Sequence, residues 1–271
     1  EITQELAAKV RDTVAHGLIS GLGVPEPGQM CVEAAVCYAL GLPHGDDPGC
    51  VTQSLRRLKI QLNDAYWSSP QARAQGLQRL VLAQLGSAGI LDEQQFEHRI
   101  ADMTVRKVLP IGLRAAASVS LRYQTELEQA ADRCENEGTL AAATAASEIT
   151  QTALQIPSSL PLIYAAHASS AALSAAFHVA VHAVNAISAT PTAVCSASAS
   201  ASAAAICAAS AASAAASAIS VVKTAASFYA FDSYAIAGIE KDKILAQYAE
   251  WVVDILIDMK APGCQWLTLL D

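Results

Sequence analysis

Charge is in short supply along this chain of 271 residues: 15% are Asp, Glu, Lys or Arg, against about 25% in an ordinary globular chain. Between Thr139 and Val222 the only charged residue is Glu148. A surface so poor in ions must be covered in part by something other than water. Basic residues are the scarcer sign, 17 against 25 acidic ones, for a net charge of −8. That balance argues against nucleic acid as a partner, because neutralising phosphates requires clustered Lys and Arg.

Strand signals are missing as well. No stretch of β-branched or aromatic residues alternates with period 2 over a strand length, except the Ser-Ala alternation of Ser196 to Ser202. Alanine is the best helix former and is depleted in strands, and the alternation dissolves at once into Ala-Ala-Ser, so helix is the expectation there. The 30 uncharged residues from Ala193 to Val222 exceed the roughly 20 that span a bilayer. They hold few Leu, Ile, Phe or Val and many Ser, which argues against insertion. No glycine-rich phosphate loop is present, since GLGVPEPG carries prolines and follows no strand. Seven scattered cysteines, an odd number, make no disulfide framework and point to a reducing, cytoplasmic compartment. The first residues, EITQELAAKVRDTVAHGL, are amphipathic and lack the apolar centre of a signal peptide.

What is present is a succession of helix starts and stops. Asp47-Pro48 is read as a cap and first-turn proline before VTQSLRRLKIQLNDAYW, and Ser69-Pro70 as the same before QARAQGLQRLVLAQLG. Asp92 with Gln95 opens EQQFEHRIADMTVRKVL, and Gly138 closes LEQAADRCENE. Pro157, Pro161 and Pro191 divide the neutral region into helices near 139–156, 162–189 and 192–236. A last amphipathic helix, IEKDKILAQYAEWVVDILIDM, precedes an apolar tail CQWLTLL expected to dock on the body. The chain thus reads as all-α, a multi-helix bundle with long Ala/Ser-rich C-terminal helices. An N-terminal helical region, 1–138, carries an Ala/Ser-rich helical region, 139–271, as one continuous unit.

The neutral helices have faces. His167, Ser170, Ser174, His178, His182, Asn185 and Ser188 recur at intervals of three and four, one continuous stripe. Ser210, Ser213, Ser217, Ser220, Thr224 and Ser227 alternate three and four, a 3.5-residue repeat. Such stripes suit either solvent or another helix. Small residues at heptad spacing let backbones approach closely, with hydroxyls bonded to the preceding turn, and a neutral face meets a partner without stripping water from ions.

Candidate chemistry is sparse. His178 and His182 lie one turn apart with His167 on nearly the same face, but FHVAVH lacks the glutamate of a zinc-peptidase helix, and no metal or other cofactor is assigned. Cys31 in GQMCVEAAV lies near a helix start, which lowers a thiol pKa. Gln29 stands two residues before as an oxyanion donor, an arrangement superficially like the cysteine helix of papain-like peptidases. His44 or His98 would be the base. Cys31 is otherwise buried filler. Arg56, Arg57, Lys59 and Asp64, with Tyr66 and Trp67, read as a polar and aromatic solvated face.

The expectation from sequence is therefore a bacterial-type cytoplasmic protein that acts by association rather than catalysis, with itself or another protein as partner. A self-assembling scaffold, homo-oligomer or filament, comes first, with the two stripes as interface. An immunity or antitoxin-like binder of a basic partner, and a thiol-dependent hydrolase using Cys31 and His44, are the alternatives.

Overall fold

Local capping sets where most helices begin. Thr3 Oγ1 accepts from the Leu6 amide at 3.3 Å and opens α1 (Gln4–Ala15). Cys31 opens α2 (Val32–Ala39). Ser69 Oγ accepts from Ala72 at 3.0 Å ahead of Pro70, the first residue of α4 (Pro70–Ala83), as the sequence implies. Asp92 Oδ1 accepts from Gln95 at 3.0 Å and starts α5 (Glu93–Met103). In this computed structural model the described residues are 2–118, 122–155 and 233–271. Among them the chain is an all-α, multi-helix fold without strands.

Three boundaries differ from the sequence reading. Helix α3 (Gln53–Asp64) starts after Thr52, several residues beyond Pro48. Asp47 turns its carboxylate onto the Gly49 amide at 3.0 Å and onto Arg56 at 2.6 Å, and Gly49, at φ +64°, closes a turn that an L side chain would strain. The helix expected through MTVRKVL does not stop at Pro110. A π-helical turn, Thr104–Val108, joins α5 to α6 (Leu109–Ala117), and the wider turn accommodates the amide that Pro110 lacks. Last, no break separates residue 236 from the final helix: α9 runs from Ser233 to Asp258 through Gly238, whose helix cost of about 1 kcal/mol is too small to end it.

The acidic helix α7 (Gln124–Glu137) ends as expected at Gly138, φ +63°. Arg106 completes that end, its guanidinium donating to the carbonyls of Glu135, Asn136 and Glu137 at 2.9, 2.8 and 2.8 Å. Helix α8 (Leu140–Gln155) covers α7, and α7 covers α6.

Helix α4 occupies the centre, packed by α1, α2, α9 and the tail. Leu77, Leu80 and Val81 of α4 and Tyr248, Val252, Val253 and Leu256 of α9 are buried in one core. At Gly76 a side chain would collide with the Trp67 ring, so the glycine admits that indole beside α4. No described helix is long and apolar enough to cross a membrane.

The tail docks as the sequence suggests: Pro262–Leu270 forms a 3₁₀ segment against α4 and α1, and Arg11 donates to the Leu269 carbonyl at 3.0 Å. A Cβ on Gly263 would meet the Leu82 and Ala83 carbonyls and the Leu85 amide well inside van der Waals contact. Gly263→Ala is therefore expected to destabilise the protein by about 1–3 kcal/mol, read as a lower urea midpoint, because backbone rather than a movable side chain must yield. An unchanged midpoint would mean the tail is not seated there.

Candidate functional site

The loop from Gly17 to Met30 delivers Cys31 to the start of α2. Ile19 donates to the Met30 carbonyl at 3.0 Å, Gly23 bridges Met30, and the Cys31 amide donates to Leu22 at 3.3 Å. Gly23 is required in this turn: its φ is +73°, and a Cβ would collide with the Gln29 carbonyl. Cys31 takes the N-cap position itself, its Sγ accepting from the Ala34 amide at 3.4 Å.

The thiol is 5% exposed. Burial pushes its pKa up, against the weaker pull of the Ala34 and Glu33 amides. His44 is held elsewhere, its Nε2 3.0 Å from the Gly23 carbonyl, and no hydrogen bond joins it to the thiol. Gln29 is exposed, with its backbone spent on closing the loop. His98 lies on α5, facing a different crevice. The structure thus brings Cys31 and His44 against one loop without aligning them as nucleophile and base.

Two residues beyond Cys31 the helix contains what the sequence reading missed. Glu33 and Lys59 form an ion pair at 3.1 Å with both side chains fully buried, and Gln84 donates to the second Glu33 oxygen at 3.4 Å. The solvated face expected from Arg56, Arg57, Lys59, Asp64, Tyr66 and Trp67 is corrected at Lys59 and Trp67, while Asp64 and Tyr66 are exposed and Arg56 and Arg57 half-buried. Lys59 points into the core because Glu33 of α2 meets it there, and Trp67 is 4% exposed, its Nε1 donating to the Leu62 carbonyl at 2.9 Å. Burial raises the Glu33 pKa and lowers that of Lys59, each opposed by the other's charge. The signal was present in VEAAVCYA: a single acid in an otherwise apolar helix requires a buried partner. This cluster joins α2, α3 and α4, and its chemistry is that of a pin.

One crevice, of about 420 Å³, opens between α5, the π-turn and α9. Met103, Ile255 and Trp251 line it among matched charges: Arg106 bonds Asp102 at 2.9 Å, Arg99 pairs with Asp258 at 3.6 Å, and Lys107 lies over the Trp251 ring. Among the described residues no group of three or more His, Cys, Asp or Glu is placed to hold a metal ion. The interface residues expected from sequence, His167, Ser174, His178, His182, Asn185, Ser210, Ser213, Ser217, Ser220, Thr224 and Ser227, lie outside the described residues.

Two measurements probe this region. Lys59→Met is expected to destabilise by about 3–5 kcal/mol by leaving Glu33 buried without its counter-ion, whereas Lys59→Met with Glu33→Gln recovers most of the loss. Urea unfolding of the double-mutant cycle reads this, and equal losses would mean the two residues are not coupled. With a thiol reagent at pH 7.5, the half-buried Cys50 and Cys264 are expected to react ahead of Cys31, Cys37 and Cys134. Peptide mapping of the labelled protein decides; rapid labelling of Cys31 would favour the hydrolase alternative. The chain matches no family model, no curated protein and no solved structure.

Proposed function

We propose that the protein works by association, as a structural or scaffolding homo-oligomer or filament of the bacterial cytoplasm, its Ala/Ser helices packing against those of other copies. The observation that carries this reading is the packing of α8, the described part of the neutral region. Ala142, Ala143, Ala146, Thr150 and Ala153 form its buried stripe, and α7 packs against the helix. Side chains this small bring backbones close. Thr150 Oγ1 donates to the Ala146 and Ser147 carbonyls at 3.0 and 2.9 Å, and Thr152 to Glu148 at 2.8 Å, so hydroxyls on such a helix need no outside partner.

The same sequence logic recurs from Ser210 to Ser227. As a helix, this heptad would set hydroxyls along one face, and its six members carry no ion to desolvate on contact. Five described cysteines are free thiols, which suits a reducing compartment. The burial of Cys31 and the engagement of His44 with a backbone carbonyl weigh against the hydrolase alternative.

Sedimentation at micromolar concentration tests the proposal. The native chain is expected to sediment above monomer mass, and Ser213→Arg with Ser217→Arg to return it to monomer at unchanged helix content. A native monomer would overturn the reading.

A further inference from the structure

Thr52, at the N-cap of α3, makes no capping bond with its own side chain. The cap comes from another helix. Glu93, the first residue of α5, accepts with Oε2 from the Ser54 amide at 3.0 Å and from the Ser54 hydroxyl at 2.6 Å. Glu97, one turn further along α5 on the same face as Glu93, is 1% exposed, and its Oε1 has no hydrogen-bond partner. A serine hydroxyl has one proton to donate, and here Glu93 receives it. An ionised Glu97 would therefore sit buried, short of a donor, beside a like charge.

The charged groups that act on Glu97 are Glu93 and the cap Asp92, both acidic, while α3 presents Ser54. The cations nearest along the chain face elsewhere: Arg99 pairs with Asp258 of α9, Arg106 caps α7, and Lys107 lies on Trp251. Burial first, and then the Glu93 charge, push the Glu97 carboxyl up to about 7, against a weaker opposing pull from the Ser54 hydroxyl. Protonated, Glu97 has a donor of its own for Ser54 Oγ or for the Glu93 carboxylate.

We infer that Glu93, Ser54 and Glu97 form a proton-operated latch between α5 and the N-terminus of α3, closed while Glu97 keeps its proton and loosened when that proton leaves to solvent. A carboxyl raised by folding binds its proton more tightly folded than unfolded. The latch's contribution is thus complete below the ordinary carboxylate range, declines as pH rises from there to about 7, and stays low above it.

Urea unfolding of the full chain and of Glu97→Gln, which keeps the shape and a donor without the titration, tests this between pH 5 and 8.5. The variant is expected to gain on the wild type by about tenfold or more in the folding equilibrium between pH 5 and 7.5, then hold a constant lead. A pH-independent difference would overturn the latch. A carbon-13 titration of the Glu97 carboxyl in the wild type decides independently of the variant's folding: a midpoint near 7 supports the latch, and one below 5 overturns it.

Discussion

The buried pair of Glu33 and Lys59 is the constraint on which the N-terminal half is arranged. Two charges taken fully out of water cost several kcal/mol each, and only their mutual attraction in good geometry offsets it. Such a pair tolerates no slippage. Helix α2 must present Glu33 where α3 presents Lys59, and Gln84 holds the second carboxylate oxygen from α4. Once these three helices are set, the loop before α2 is set too. Val32 donates to Asn63 at 3.2 Å, and Asn63 donates back to the Ile19 carbonyl at 2.9 Å.

Elsewhere, helix ends are satisfied by side chains from distant parts of the chain. Arg73 donates to the carbonyls of Asn63 and Leu18 at 2.8 Å each, closing the end of α3 against the first loop. Arg106 does the same for α7, and Glu93 supplies the missing cap of α3. Asp242 of α9 accepts from the Ser68 amide at 2.8 Å, just ahead of α4. Orphan backbone groups at helix ends are costly when buried, so each of these bonds fixes the relative position of two elements as well as one terminus. Arg73, Arg106, Glu93 and Asp242 thus place part of the chain's scarce charge at such junctions.

The neutral contact face of α8 is the counterpart of that economy. With Ala at the contact and hydroxyls turned back on the preceding turn, a helix needs no ions to pack. The same property that lets α8 lie on α7 makes a longer helix of this composition suited to meet its own kind, which is the basis of the proposed assembly. The latch at Ser54 is independent of it and acts within the folded body.

Helix identity, the caps at Ser69 and Asp92 and the stop at Gly138 were legible from residues alone, because a capping bond closes within three or four residues. The docking of CQWLTLL was legible as well, since an apolar tail must find cover. The all-α class followed from local propensity and the absence of alternation. What only the tertiary structure decided involves partners far apart in sequence: that Lys59 is a core residue, that Glu93 rather than Asp47 caps α3, and that Cys31 is an N-cap whose histidine neighbour is engaged elsewhere. A charged side chain looks the same in sequence whether it faces water or a buried counter-ion; the distinction is made by the helix that packs against it.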